Sequence, residues 1–205
     1  MENYKKNLEL LTKNHVYSKE MEHDACGVGL IASTEGKKSR AIVEYGIEAL
    51  KAVWHRGAVD ADGKTGDGAG IHVEIPKDFF IEKIQVTGHD YDNSEICVGM
   101  IFLPRNDYSA QESCKTIVES ELTKNNFSIY GWRQVPVNSK VLGEKALQTM
   151  PEIIQVLFKP NDPNLLDKNL ERKIYEIIKR IENKAFDASL NNFYICSISS
   201  KSIIY

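Results

Sequence analysis

The feature that most constrains the fold of this chain is the alternation of two kinds of segment. Short apolar runs rich in β-branched residues alternate with segments that have helical periodicity. Such runs favour buried strands, whereas apolar residues three and four positions apart favour amphipathic helices. The clearest helical pattern covers Leu166–Ala185. Irregular spacing leaves parallel and antiparallel sheets both open, so the pattern alone predicts a mixed αβ class. The predicted strands are Gly27–Thr34, Ile71–Ile75, Glu95–Leu103, Phe127–Val137, Glu152–Phe158 and Phe193–Ser199.

Three further helices are predicted from capping residues and periodicity. Ser39 precedes an apolar face that continues to His55-Arg56-Gly57, where a basic residue and a glycine are typical of a helix end. Ser109 and Glu112 have the spacing of a capping box before an amphipathic segment. A short helix is predicted over Gly143–Met150. The sequence shows no internal repeat and no linker, so we expect one domain.

The composition is that of an ordinary globular domain and argues against several classes of function. The 205 residues can bury a substantial core, with 42% hydrophobic and 27% charged residues. The formal net charge of −3, with dispersed basic residues, gives no electrostatic basis for binding nucleic acid or an anionic membrane. No apolar run has the length of a membrane span. We therefore expect no nucleic-acid partner, no membrane partner and a cytoplasmic location.

The four cysteines are widely separated and form no Cys-x-x-Cys pair, which argues against a metal site or a disulfide framework. Cys97, Cys114 and Cys196 stand within apolar patterns and are predicted to be small buried side chains. Cys26 differs because it begins an apolar run beside two glycines. Cleavage before Cys26 would free an α-amino group, with a pKa of roughly 7.7–8.0, to accept the thiol proton.

Several motifs occur together in one order along the chain. They are Ala25–Gly29, His55–Ala58 and Thr65–Gly70. In this order the chain resembles the class II glutamine amidotransferase domain that opens the large subunit of glutamate synthases, a branch of the N-terminal nucleophile hydrolases. The resemblance extends from about Glu22 to Tyr205. Further similar segments are Gly131–Pro136, Leu142-Gly143 and Phe193–Ser197.

For the fold, the resemblance implies an α+β class, a four-layer αββα sandwich of mainly antiparallel sheets that is incomplete. It implies a propeptide or disordered leader at residues 1–25. Residues 26–205 would form the class II glutamine amidotransferase domain, truncated at its C-terminal side. The composition of residues 1–25 alone fits a flexible extension equally well, and it lacks the basic start and apolar core of a signal peptide.

The resemblance also implies roles for individual residues. Cys26 would attack the side-chain amide carbon of glutamine and form a γ-glutamyl thioester, with its own amine as the base. Arg56 and Gly57 would line the substrate site, and Asp67 would support the glycine-rich loop by accepting backbone hydrogen bonds. The family's oxyanion donors and its carboxylate-binding arginine correspond to positions after Tyr205, so we expect an incomplete site.

These motifs also have purely structural interpretations. Without the resemblance, Cys26 would be taken as one more buried thiol and His55–Gly57 as an ordinary helix end. The loop Asp60–Gly70 misses the spacing of dinucleotide, phosphate and calcium loops, so we expect tight packing there and no metal. Trp132 and Arg133 are interpreted as a strand aromatic beside an exposed base.

The function implied by the resemblance is hydrolysis of glutamine, with ammonia passed to a synthase domain that reductively aminates 2-oxoglutarate. No cofactor is expected in this chain; FMN and an iron–sulfur cluster are implied for the full-length enzyme. The implied partners are glutamine, the remaining domains of the large subunit and a small electron-donating subunit. Two alternatives stay open, a non-catalytic fragment acting as an interaction module and a different amidohydrolase of the same superfamily.

Overall fold

The computed structural model describes residues 2–14, 27–53 and 59–205. The predictions for Cys26, His55, Arg56 and Gly57 therefore lie outside the described residues. The helices of the described part are α1 (Glu2–Asn14), α2 (Arg40–Ala52), α3 (Lys77–Val86), α4 (Tyr108–Lys124), α5 (Glu144–Thr149) and α6 (Asp167–Asp187). Its strands are β1 (His72–Glu74), β2 (Cys97–Leu103), β3 (Phe127–Gln134), β4 (Glu152–Pro160), β5 (Tyr194–Ser199) and β6 (Ser202–Ile204).

The centre of the fold is a four-stranded antiparallel sheet with the order β3-β4-β2-β5. Strands β2 and β4 lie in the middle and pair without a register shift from Cys97 opposite Phe158 to Leu103 opposite Glu152. Both strands are apolar at successive positions, because layers of structure cover both faces of the sheet and neither set of side chains meets water.

Helices α4 and α6 cover one face of this sheet. Each helix presents an apolar stripe at three- and four-residue intervals, as expected for a surface helix. At the contact between the helices, the carboxylate of Glu121 is 3% exposed and accepts a hydrogen bond from Nζ of Lys184. The stripes consist of Cys114, Val118 and Leu122 on α4, and of Leu170, Ile174, Ile177 and Ile181 on α6.

The opposite face of the sheet is covered by α3 and by a two-stranded antiparallel sheet of β1 and β6. Phe80 and Ile84 of α3 and Ile203 of β6 are fully buried in this second core. The molecule therefore has the α+β architecture with two antiparallel sheets and packed helices that the resemblance implied. No helix within the described residues has the length and apolar character needed to cross a bilayer.

Most predicted elements are confirmed with small shifts of their ends, including α6 and the strands β1 to β5. The predicted capping box of α4 is wrong: Asp107 caps the helix by accepting a hydrogen bond from the Ala110 amide at 2.9 Å. Ser109 already lies inside the first turn. Three elements were not predicted. Helix α3 is weakly periodic and β6 has three residues, whereas α1 lies in the stretch that was interpreted as a propeptide or leader.

The predicted strand Gly27–Thr34 is also wrong, because residues 27–33 carry no strand and are largely exposed. The side chains of Val28 and Leu30 are 94% and 89% exposed. A β-branched run becomes a strand only where a second strand pairs with its backbone groups. None of the described strands pairs with this segment.

We predict that Gly99→Ala destabilises the central sheet. A Cβ at this position would lie 2.7 Å from Cγ1 of Val156 and 3.1 Å from Cγ1 of Ile198, on the two neighbouring strands. Overpacking of this kind costs about 1–3 kcal/mol. Urea denaturation measures the loss, with Gly68→Ala as control because a Cβ there would have no atom within 4 Å. Equal stability of Gly99→Ala and the parent chain would contradict this packing.

Candidate active site

The segment that follows the predicted nucleophile lies against the end of α2. A Cβ placed on Gly27 would be 3.8 Å from Cγ2 of Val53, the C-cap residue of α2. Gly27 directly follows Cys26, and Val53 directly precedes residues 54–58, which contain the second motif. The described residues that adjoin the first two motifs therefore lie side by side, about one side-chain atom apart.

Helix α2 is itself placed on the small sheet. A Cβ on Gly46, at the middle of the helix, would lie 3.2 Å from Cδ1 of Ile71, just before β1. Before the helix, Nζ of Lys38 is 2.5 Å from Oε1 of Glu74 on β1. Ser39 is the N-cap residue as predicted, although its side chain makes no capping hydrogen bond.

The third motif begins in a closed turn from Val59 to Gly66. These two residues form an isolated antiparallel bridge, and the amide of Asp60 donates to the carbonyl of Thr65 at 2.7 Å. Inside the turn, Oδ1 of Asp62 accepts hydrogen bonds from the amides of Lys64 and Thr65 at 2.9 and 2.7 Å. The turn is therefore shaped by one carboxylate, in the manner of an Asx turn.

Asp62 is the most strongly perturbed carboxylate of this region. The Thr65 hydroxyl donates to its Oδ2 at 2.5 Å, and the amides of Lys64 and Thr65 donate to its Oδ1. These bonds, the Thr65 hydroxyl foremost, hold the pKa of Asp62 well below its ordinary value because they stabilise the charged form. Asp62 is ionised at any physiological pH.

The turn is joined to the start of α5, some eighty positions later in the chain. A Cβ on Gly143 would lie 2.5 Å from the amide nitrogen of Thr65 and closer still to Oγ1 of Thr65 and Oδ2 of Asp62. Only a glycine fits there. A second tie joins Nζ of Lys145 to Oδ2 of Asp60 at 2.5 Å. The Thr65–Gly70 and Leu142-Gly143 segments of the resemblance are thus in direct contact.

For support of the glycine-rich loop, the resemblance implied Asp67, five positions after Asp62. The turn bonds described above converge on Asp62, which the sequence analysis considered only as a residue of a rejected calcium loop. The role of Asp67 stays a prediction. The Asp-x-Lys-Thr spacing could have indicated an Asx turn, but the partner at Gly143 has no local signal. Within the described ranges, no three His, Cys, Asp or Glu side chains group closely enough to hold a metal ion.

Comparison with known proteins decides the family. The sequence model of the class-II glutamine amidotransferases matches residues 26–205. The chain belongs to this family. The large chain of the NADPH-dependent glutamate synthase of Azospirillum brasilense is 52% identical over 202 residues, which cover 98% of this chain and 13% of that protein.

Two further relatives are ferredoxin-dependent glutamate synthases. The protein from Pyropia yezoensis is 38% identical over 96% of this chain, and the chloroplastic protein from Spinacia oleracea is 38% identical over 90%. This amidotransferase chain spans about 13% and 11% of these relatives, respectively.

The side chains of Trp132 and Arg133 in the amidotransferase both have partners on other elements. The indole of Trp132 donates to Oε1 of Glu119 at 2.6 Å, which ties β3 to α4. Arg133 is half-buried, donates from Nη1 to Oε1 of Gln155 at 2.7 Å, and its guanidinium lies 5.1 Å from the ring centre of Phe79. The exposed-base interpretation is wrong because the opposite strand and α3 supply partners.

The three cysteines predicted to be structural are indeed packed in apolar surroundings. Cys97 and Cys114 are buried, and Cys196 is half-buried. Burial raises the pKa of all three thiols, that of Cys114 to about 11. A buried thiol with a raised pKa is a poor nucleophile, so these residues do not compete for the role given to Cys26.

We predict that iodoacetamide at pH 8 alkylates Cys114 of the folded amidotransferase about a hundredfold more slowly than a cysteine in an unfolded peptide. Alkylation is expected to be slow because the thiolate is the reactive form, and burial raises the pKa of Cys114 to about 11. Peptide mass mapping after timed quenching measures each cysteine separately. The same digestion after unfolding in urea is the control, and rapid labelling of Cys114 before unfolding would contradict the burial.

Proposed function

We propose that this chain is the glutaminase module of a glutamate synthase, with Cys26 as its nucleophile. The observation that carries this proposal is the start of the family match at Cys26. The residue that an N-terminal nucleophile mechanism requires is thus the first residue of the matched range. The high identity to a glutamate synthase large chain supports the finer assignment within the family.

The proposed reaction has two steps. Sγ of Cys26 attacks the side-chain amide carbon of glutamine, and the free α-amine of Cys26 accepts the thiol proton. That proton then goes to the departing nitrogen, the C–N bond breaks, and ammonia leaves a γ-glutamyl thioester. A water molecule, deprotonated by the same amine, hydrolyses the thioester to glutamate and returns the thiol.

This mechanism needs a free amine on Cys26, so residues 1–25 are proposed to be a propeptide that is removed, leaving residues 26–205 as the domain. The proposed surroundings of the thiol are Arg56 and Gly57, with Asp67 supporting the following loop. The proximity of Gly27 to Val53 supports this proposal, because Gly27 follows Cys26 in the sequence and Val53 shortly precedes Arg56 and Gly57.

The rest of the proposed activity belongs to parts of the enzyme outside these 205 residues. Ammonia would pass to a synthase domain that aminates 2-oxoglutarate, where FMN, an iron–sulfur cluster and an electron-donating subunit would supply the electrons. The named relatives use either NADPH or ferredoxin, so the donor for this protein is left open. We propose a cytoplasmic location.

We predict that Cys26→Ser abolishes glutamine hydrolysis in a chain that carries the complete amidotransferase domain. A hydroxyl attacks far less readily than a thiol at the same position. Ammonia release, measured by a coupled assay, is the readout. Cys196→Ser is the matched control, since Cys196 lies outside the proposed site and is only half-buried, and it should retain activity. Ammonia release by Cys26→Ser at the rate of the Cys196→Ser control would contradict the assignment.

A second prediction concerns the free amine. Intact mass measurement of the purified active protein should show Cys26 as the first residue. An alanine inserted between Ala25 and Cys26, and retained after processing, should leave the fold intact and remove glutaminase activity. Full turnover by a protein that still begins at Met1 would exclude the amine as the base.

A further inference from the structure

We propose that Arg133 binds a carboxylate group and is held ready for it by Gln155 and Phe79. This inference goes beyond the proposed glutaminase reaction, because it uses none of the groups assigned to that reaction. The site consists of the guanidinium of Arg133 on the edge strand β3, the side-chain amide of Gln155 on β4 and the ring of Phe79 on α3. Lys83, one turn further along α3, adds a second positive charge.

Gln155 is the residue from which the inference starts. Its side chain is fully buried in the central sheet, and its Nε2 has no hydrogen-bond partner in the described part of the chain. An unpaired buried amide lowers the stability of a fold, whereas an apolar side chain of the same size does not. Packing therefore gives no reason for a glutamine at this position, and the one polar contact that its side chain makes is through Oε1.

That contact is with the guanidinium of Arg133. The two residues lie opposite each other on neighbouring strands, so their side chains share one face of the sheet. Nη1 of Arg133 donates to Oε1 of Gln155 at 2.7 Å, and the guanidinium lies 5.1 Å from the ring centre of Phe79. The reverse orientation of the amide would set two N–H donors against each other. The guanidinium is thus oriented by two neighbours that carry no charge.

Within the described residues, Arg133 has no acidic partner. Arg40 and Arg172, by contrast, each pair with a glutamate four positions along the same helix. Glu152, the acidic residue of β4, accepts a hydrogen bond from Nε2 of Gln134 instead. Arg133 is half-buried and keeps its charge at any physiological pH, so part of a permanent cation is removed from water without a counter-charge.

Lys83 makes the surroundings of Arg133 more positive. Its Nζ lies 4.9 Å from the centre of the Phe79 ring, which also contacts Arg133, and it forms no ion pair with the residues that the structure describes. Two cations beside one ring repel each other, so an anion that binds there is attracted by both charges. The arrangement of donors and charges therefore favours an anionic ligand.

A carboxylate fits the geometry of this ligand site. A guanidinium is planar and carries parallel N–H groups whose spacing matches the two oxygens of a carboxylate. The bond to Gln155 and the contact with Phe79 restrict the side chain of Arg133 before the ligand arrives. Restriction of this kind reduces the entropy that is lost on binding.

The test follows acetate binding to the folded 205-residue chain by NMR, with the backbone amides of β3 as the readout and chloride at equal ionic strength as the reference. We expect saturable shifts with acetate and weaker binding of inorganic phosphate. A peptide with one central glutamate, used in parallel, distinguishes a protein side chain from a free carboxylate as the source of the group. Absence of saturable shifts, or tighter binding of phosphate than of acetate, would overturn the proposal.

Arg133→Lys separates the planar edge from the charge. This variant keeps the charge and removes the parallel donors, so we expect its affinity for acetate to fall at least tenfold. Arg105→Lys is the matched control, because Arg105 is exposed, donates only to Sδ of Met150 and has no buried amide to orient it. The control should bind acetate as the parent does. Equal affinity of Arg133→Lys and the parent would show that charge alone attracts acetate, and would refute the site.

Gln155→Met separates orientation of the guanidinium from stability of the fold. Methionine fills a similar volume and removes the unpaired amide, so the midpoint of thermal unfolding should be no lower than in the parent. Affinity for acetate should fall about threefold or more, because Arg133 loses the bond that orients it. An affinity within the error of the parent's would overturn the positioning role of Gln155. None of these measurements uses glutaminase activity, so they stand whether or not the proposed function holds.

Discussion

The uninterrupted antiparallel pairing of β2 with β4 is the interaction on which the rest of the molecule depends. Seven consecutive residue pairs place apolar side chains on both faces of the sheet, so the fold requires a cover on each side. Helices α4 and α6 provide one cover, and α3 with the β1–β6 sheet provides the other. Helix α2 lies against the residues just before β1, and Gly27 lies beside the end of α2. Each layer is therefore positioned by the one beneath it.

The described residues next in sequence to the proposed site, Gly27 and Val53, lie outside the central sheet. The central sheet carries no proposed catalytic group. Of its two thiols, Cys97 is buried and Cys196 is half-buried, and burial raises the pKa of both. The described residues that follow Cys26 in the sequence, 27–33, belong to no described strand and are largely exposed. Such a division is common, since a rigid scaffold can position loops that remain free to vary in sequence.

Sequence predicted the elements whose signal is local. Periodicity identified α6, and proline-terminated apolar runs identified β2 and β1, because burial acts directly on these residues. It failed where a distant partner decides the outcome. Residues 27–33 have a strand-like composition but lack a described pairing strand, and Arg133 is covered by Phe79 and Gln155 from other elements. The family motifs indicated Cys26, but nothing local linked Asp62 to Gly143.

The absence of a side chain at Gly143 has a consequence for how this family can vary. A larger residue there is compatible with the fold only if the whole turn moves away, because a Cβ would meet the backbone amide of Thr65 as well as the side chains of Thr65 and Asp62. A shorter side chain at position 62 would leave the Thr65 backbone in the same place. Position 143 is therefore expected to stay a glycine during evolution for as long as the turn keeps its place, whichever residue stands at position 62.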